Sequence, residues 1–162
     1  MARTAAACRV VVVYLLAVGC MSSDKFAEDK QSVLTTVQTL FDAMAAGDAV
    51  MASELFVEHA LLTRVDADST GAGQATNPAA DWLAGLPAEP DVYLERMFSP
   101  VAHVDGDLAT VRAPYDFHLR GKFSHCGTNV FQLVRVEGRW RILSVTYSVQ
   151  RQDCPARPAP GG

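Results

Sequence analysis

Three side chains suited to acid–base chemistry lie close together in the second half of the chain: Asp116, His118 and His125. If Arg120-Gly121 forms a two-residue turn, the flanking strands place Asp116 opposite His125, with His118 beside them. A carboxylate next to an imidazole fixes its tautomer and raises its pKa, which prepares a general base. The alternative is a solvated cross-strand ion pair on an outer face, which stabilises weakly.

Nucleophilic and metal-dependent chemistry have less support. Ser124 and Cys126 flank His125, and adjacent residues of a strand point to opposite faces, so a nucleophile–base pair is not expected. The histidines His118 and His125 and the cysteines Cys126 and Cys154 lack a recognised ligand spacing. We therefore predict no metal site and no cofactor.

The candidate residues belong to a region with the period-two alternation of β-strands. Tight-turn sequences, among them Asp105-Gly106-Asp107 and Glu137-Gly138, separate five predicted strands: Val92–Phe98, Ala102–Val104, Leu108–Leu119, Lys122–Val136 and Arg139–Gln150. Strands joined by short turns predict an antiparallel meander.

The region before the strands has helical periodicity. A first helix, with an N-cap at Asp29 and a stop at Gly47, is predicted from a stripe of apolar residues: Val33, Val37, Leu40, Phe41 and Met44. Asp48 is expected to cap a second helix, which carries Met51, Leu55 and Phe56. The segment 66–79 predicts a loop, and 77–86 a third helix. Helices followed by a meander predict an α+β fold, with the helices on one face of a curved antiparallel sheet.

Counting outward from the turns sorts the strand residues onto two faces. We assign the nearly apolar first face to the side under the helices: Val111, Ala113, Tyr115, Phe117, Cys126, Val130, Gln132, Val134, Leu143, Val145, Tyr147 and Val149. Its few polar groups indicate a small-molecule site in an apolar cavity, and the expected ligand-binding residues are Tyr115, Phe117, Gln132 and Tyr147. The alternative is a filled core with tyrosine hydroxyls at its rim.

The second face carries Arg112, Asp116, His118, Phe123, His125, Asn129, Phe131, Leu133, Trp140 and Ile142. Its large apolar side chains need a cover, so we predict a homodimer that pairs through this face. The alternative is that the two faces are inverted. This surface would then line the cavity, with His125 as its working group.

The N-terminus has the pattern of an export signal. Two arginines precede an apolar run from Val10 to Val18, which is too short for a membrane-spanning helix. Leu16-Ala17-Val18-Gly19-Cys20 resembles a bacterial lipobox, so we expect cleavage before Cys20 and lipidation of that cysteine. The predicted organisation is a signal peptide at 1–19, a tether at 20–29, a folded domain at 30–154 and a disordered tail at 155–162.

Composition and cysteine count narrow the function classes. With 49% hydrophobic and 20% charged residues, the chain is not intrinsically disordered. A net charge of −4 without a basic cluster excludes a nucleic-acid binder. In an oxidising compartment, removal of Cys8 with the signal and acylation of Cys20 leave Cys126 and Cys154 as one disulfide pair. The alternative is two free thiols.

Four motifs carry a family resemblance: Ala113-Pro114-Tyr115-Asp116-Phe117, Gly121-Lys122-Phe123-Ser124-His125-Cys126-Gly127, Phe131-Gln132-Leu133-Val134-Arg135 and Trp140-Arg141-Ile142. Over 33–154 the chain resembles the bacterial family called putative lumazine-binding, in the nuclear transport factor 2-like (NTF2-like; SnoaL-like, cystatin-like) superfamily. The resemblance implies an α+β cone. Members often end the last strand with Asp-Thr-Arg, where this chain has Tyr147-Ser148-Val149, so no role of that acid and arginine is carried over.

Together these features predict an exported, lipid-anchored module on the bacterial cell envelope that binds a small apolar ligand and touches the membrane only through its anchor. The alternative is an isomerase- or hydratase-like enzyme in which His125, with Asp116, is the general base.

Overall fold

The computed structural model describes residues 7–66 and 73–157, with side chains from Asp24 onward. Three helices and seven strands follow one another in that part of the chain: α1 (Ala7–Ala46), α2 (Ala49–Ser53), β1 (Phe56–Asp66), β2 (Gly73–Pro78), α3 (Ala79–Ala84), β3 (Tyr93–Met97), β4 (Val101–Asp105), β5 (Leu108–Leu119), β6 (Lys122–Val136) and β7 (Arg139–Val149). The predicted α+β class, with N-terminal helices on a curved sheet, is confirmed.

The strands form one sheet with the order β2-β1-β7-β6-β5-β3, and β4 also pairs with β5. All pairs are antiparallel except β1 with β7. The five predicted strands are present, but β1 and β2 were not predicted. Phe56, expected in the second helix, begins β1, and β2 lies within the segment that was expected to be a loop.

Helix α1 buries the predicted apolar stripe against the concave face of the sheet. Val33 and Val37 are fully buried, and Leu40, Phe41 and Met44 are nearly so. The helix also includes the segment 20–29, which we expected to be a tether, so Asp29 is not its N-cap. Asp29 instead binds Arg135 of β6, with Oδ1 2.7 Å from Nη2.

The end of α1 at Gly47 and the cap of α2 at Asp48 are as predicted. Gly47 adopts a φ of 69°, in the left-handed region, and a β-carbon there would collide with the backbone of Pro87 and Ala88. The Asp48 carboxylate then caps α2, because its Oδ1 accepts a hydrogen bond from the Met51 amide at 2.8 Å.

Two β-bulges change which residues face the helices. In β6, Phe117 pairs with His125 and His118 with Phe123, which leaves Ser124 as an extra residue. In β7, Leu133 of β6 pairs with Ile142 and Gln132 with Ser144, which leaves Leu143 extra. Side chains alternate along a strand, so one extra residue turns the following side chains to the opposite face.

Because of the bulges, the predicted faces of β6 and of part of β7 are wrong. Phe131, Leu133, Trp140 and Ile142, which we assigned to the outer face, are buried under the helices. Val130, Gln132, Val134 and Leu143 face outward instead, whereas the inward side chains of β5 are as predicted. Most of the apolar side chains that motivated the homodimer are therefore already covered, and the homodimer stays a prediction without that support.

The segment after β7 folds back over the outer face of the sheet. Gln150 bridges to Cys126, and the predicted disulfide joins Cys126 to Cys154, with the α-carbons 5.9 Å apart. Farther on, the Arg157 guanidinium lies 4.2 Å from the centre of the Phe98 ring. Residues 155–157 of the predicted disordered tail thus have a defined place, and 158–162 lie outside the described residues.

We expect the disulfide to contribute measurably to stability, because it closes a loop with a sequence separation of 28 residues. In urea unfolding at neutral pH, the double variant Cys126→Ser, Cys154→Ser should lose about 3 kcal/mol of unfolding free energy relative to the oxidised protein. Dithiothreitol should destabilise the wild type and leave the double variant unchanged. Thiol labelling of both cysteines in the denatured, unreduced protein would contradict the prediction.

Candidate functional site

A cavity of about 260 Å³ lies between α1 and the concave face of the sheet. Most of its wall is apolar and comes from α1, α3 and the strands, including Phe41, Trp82, Phe117 and Phe131. Among the side chains that bring hydrogen-bonding groups to it are Arg64, Glu95, Tyr115, His125, Asn129 and Tyr147. An apolar cavity with a few polar groups is typical of small-molecule sites.

Strand register brings these polar side chains together. Arg64 of β1 pairs with Tyr147 of β7, which in turn pairs with Asn129 of β6. On the other side of β6, β5 contributes Tyr115, and β3 contributes Glu95. The polar groups therefore form a band across the concave face, with a guanidinium from one side of the sheet and a carboxyl from the other.

Glu95 and Asn129 are joined by a hydrogen bond in the cavity wall. The Asn129 side chain is buried, and its Nδ2 donates a hydrogen bond to Oε1 of Glu95 at 2.6 Å. Burial raises the pKa of Glu95 to about 7, the Asn129 hydrogen bond lowers it and the Asp116 charge adds to the rise. At neutral pH this carboxyl can therefore either donate or accept a hydrogen bond.

His125 lies in the cavity but lacks the predicted properties of a base. Its ring stacks on Phe117 with 4.9 Å between centroids, and Tyr115 contacts it edge-on at 5.7 Å. Burial, followed by the charges of Arg151 and Arg64, lowers the pKa of His125 to about 4. The imidazole is neutral at pH 7 and too weakly basic for efficient proton abstraction there.

Asp116 is on the other face of the sheet, so the predicted Asp116–His125 pair is wrong. Its buried carboxylate binds Arg96 through both oxygens, with Oδ1 2.9 Å from Nε, and lies 3.6 Å from His118. The bulge at Ser124 explains the error, because it pairs Asp116 with Cys126 and turns His125 inward. Asp116, Arg96 and His118 form a structural cluster outside the cavity.

Three of the four expected ligand-binding residues line the cavity. Tyr115, Phe117 and Tyr147 do so, and the Tyr115 hydroxyl donates to the Ser148 carbonyl at 2.8 Å. Gln132 faces outward and accepts a hydrogen bond from the Ser144 hydroxyl. The chain can pass beside Tyr115 only because Gly127 has no β-carbon, which would collide with the Ser148 carbonyl and the Tyr115 ring.

Arg64, Glu95 and the inward position of Asn129 were not predicted from the sequence. Arg64 belongs to the strand that was not predicted. Glu95 had a usable signal, because alternation in the predicted strand at 92–98 places it on the same face as Tyr93 and Met97. In the part of the chain that the structure describes, no group of three or more His, Cys, Asp or Glu side chains could hold a metal ion.

Glu95 should make stability fall with rising pH. The pKa of Glu95 is higher in the folded than in the unfolded chain. The stability contributed by its protonated form is therefore fully present below about pH 4.5 and is lost as the pH rises through 7. Between pH 4.5 and 8 the wild type should lose about 2 kcal/mol relative to Glu95→Gln in urea unfolding.

The effect of His125 has the opposite sign, since its lowered pKa removes stability as the pH falls from 6.5 towards 4. It is common to both proteins and largely cancels in the comparison. Glu89→Gln, at an exposed loop position, is the matched control and should follow the wild type. A pH-independent difference between wild type and Glu95→Gln would show that Glu95 titrates normally.

Comparison with solved structures shows the same fold in proteins of low sequence identity. An NTF2-like protein with a cystatin-like fold from Novosphingobium aromaticivorans superposes with a TM-score of 0.61 at 21% identity, covering 86% of this chain and 92% of that one. A structure described as a putative dehydratase from the NTF2-like family of Streptomyces avermitilis gives 0.61 at 16% identity, covering 76% and 96%. The association domain of C. elegans CaMKII gives 0.61 at 19% identity, covering 77% and 98%.

The sequence itself gives the family. No curated protein sequence matches the chain. Residues 28–148, which include every polar side chain of the cavity, match the family described as "Putative lumazine-binding". The chain therefore belongs to the putative lumazine-binding family and has the NTF2-like, cystatin-like fold.

Proposed function

We propose that the domain binds a small, mainly apolar molecule in the cavity, and that Glu95 and Asn129 hold one polar group of that molecule. The observation that carries the proposal is their 2.6 Å hydrogen bond at the wall of a mainly apolar cavity. A carboxyl is costly to bury, and a core under no other demand would favour an apolar residue there. The family description supports a small-molecule ligand as well.

The aromatic wall suits a planar ring. Phe41 and Phe131 meet at a centroid distance of 6.1 Å, and His125 stacks on Phe117, so ring faces and edges line much of the space. Aromatic side chains contribute large apolar contact areas and favour offset or edge-on packing against another ring. We therefore expect an aromatic or similarly flat ligand.

Leu119 offers a way to test occupancy of the cavity. It lines the cavity and is 44% exposed at the end of β5, so it lies where the cavity meets solvent. Leu119→Trp should narrow that opening and weaken binding of the neutral fluorescent probe N-phenyl-1-naphthylamine about tenfold, the equivalent of 1.4 kcal/mol. The measurement is a fluorescence titration of the probe.

The matched control is Leu143→Trp. Leu143 is 39% exposed at the bulge of β7, away from the cavity, so this variant should bind the probe like the wild type. Failure of the wild type to bind the probe, or equal binding by both variants, would contradict a ligand site in this cavity.

Proton-transfer catalysis is a second candidate, supported by Glu95 alone. A general base works best with a pKa near the operating pH, and burial raises the pKa of Glu95 to about 7. In the isomerase- or hydratase-like alternative, Glu95 thus takes the role that we had expected of His125 and Asp116. The pH-dependent stability comparison of Glu95→Gln bears directly on this candidate, since an ordinary pKa would remove its support.

We also propose that the protein is exported and anchored to the cell envelope by a lipid on Cys20. The supporting features are Arg3 and Arg9, the apolar run at 10–18 and the lipobox-like sequence before Cys20. The disulfide fits an oxidising compartment. Among the described residues, no helix is both long enough and apolar enough to cross a membrane.

Expression in a bacterial host should place the wild type in the membrane fraction, with an intact mass that shows lipid at Cys20 and loss of residues 1–19. Cys20→Ser should show no lipid in its intact mass, because the thiol that carries the lipid is absent. Cys8→Ser is the matched control and should stay anchored, since Cys8 leaves with the signal. A soluble wild type with an unmodified Cys20 would contradict the anchor.

A further inference from the structure

The guanidinium of Arg64, in the cavity wall, has a hydrogen-bond donor without a partner among the described residues. Its Nη2 lies 2.6 Å from Oδ1 of Asp66, and its Nε is buried with no hydrogen-bond partner among the described residues. The Nε and Nη2 donors form the edge that binds a carboxylate through two parallel hydrogen bonds. Asp66 uses one of these donors, so the edge is half occupied.

A second guanidinium reinforces the positive charge at this side of the cavity. Nη1 of Arg151, in the segment after β7, lies 3.7 Å from the same Oδ1 of Asp66. Two guanidinium groups therefore share this carboxylate. Their field reaches into the cavity, because both contribute to the lowered pKa of His125.

The disulfide helps to place Arg151 there. Gln150 bridges to Cys126, and the disulfide joins Cys126 to Cys154, so residues 151–153 are held close to the sheet between these two attachments. Arg151 has a half-exposed side chain, so it can adjust to a ligand bound at Arg64 without a change in the fold.

We propose that the ligand carries a carboxylate, which binds the Nε–Nη2 edge of Arg64 while its apolar body fills the cavity. This proposal rests on the ligand-binding function proposed above and specifies its chemical class. Arg64 is 38% exposed and Asp66 30% exposed, so the pair can shift to admit the carboxylate. Arg151 would remain beside Asp66 and balance the added negative charge.

The position of Glu95 sets the orientation of such a ligand. An ionised Glu95 repels a second carboxylate, whereas its protonated form donates a hydrogen bond to a neutral acceptor. The anionic group therefore points to Arg64, and the opposite end of the molecule, towards Glu95 and Asn129, carries at most a neutral polar group. The aromatic wall lies between these two ends.

A matched pair of probes measures how much the negative charge of the ligand contributes to binding. 2-Naphthoate and 2-naphthamide share a ring and nearly the same size, and differ in the negative charge that would contact Arg64. Both are titrated against the full-length protein at pH 7.5 and low ionic strength, by saturation-transfer NMR and by displacement of N-phenyl-1-naphthylamine. We expect the wild type to bind the carboxylate at least about tenfold more tightly than the amide.

Arg64→Gln should abolish this preference and leave amide affinity within about twofold of the wild type. Arg64→Lys keeps the charge but not the two-donor edge, and should retain part of the preference. Arg112→Gln, on the exposed outer side of β5, is the matched control and should keep all of it. Circular dichroism and urea unfolding establish that each variant is folded.

Equal affinities for acid and amide in the wild type would overturn the proposal, as would a preference that persists in Arg64→Gln. So would binding of N-phenyl-1-naphthylamine without binding of either naphthalene compound. These outcomes differ from failure of the broader function, in which no probe binds the cavity by either method.

Discussion

The alternation of side chains along β6 and β7 decides what this cavity contains, and two inserted residues set that alternation. At Ser124 and Leu143 the strands each carry one residue more than their partners, and everything beyond the bulge changes sides. His125 enters the cavity while Asp116 stays outside, and Trp140 and Ile142 enter the core while Leu143 faces solvent. Without the bulges, the sheet would present a different set of groups to the helices.

Burial then acts on the groups that the bulges and the register bring inside. It favours the neutral form of every titratable group, so it raises the pKa of Glu95 and lowers that of His125. At neutral pH the cavity accordingly holds a neutral imidazole and a carboxyl poised between its two forms. Arg64 keeps its charge because Asp66 pairs with it near the solvent-exposed side. The band is thus polar along its length and strongly charged only at one end.

The features of the fold that depend on residues close together in sequence could be predicted. The apolar stripe of α1, the Asp48 cap and the turns at 120–121 and 137–138 all depend on short spacings, and all are present. Strand β1 was missed because its parallel partner β7 is far away in sequence, and its antiparallel partner β2 lies in a segment with the composition of a loop. The bulges were missed because one extra residue leaves no mark on composition, and the Asp116–His125 hypothesis depended on their absence.

The continuity of α1 would have a mechanical consequence if the protein is anchored at Cys20, as proposed. A flexible tether would leave the orientation of the domain relative to its attachment point unconstrained. Residues 20–29 belong instead to the helix that packs on the sheet. Asp29 of this helix forms an ion pair with Arg135 of β6. At 1.5 Å per residue, this part of the helix is a stalk of about 14 Å. If Cys20 carries the proposed lipid, this helix would set the tilt of the domain above the lipid surface, and with it the direction in which the cavity opens.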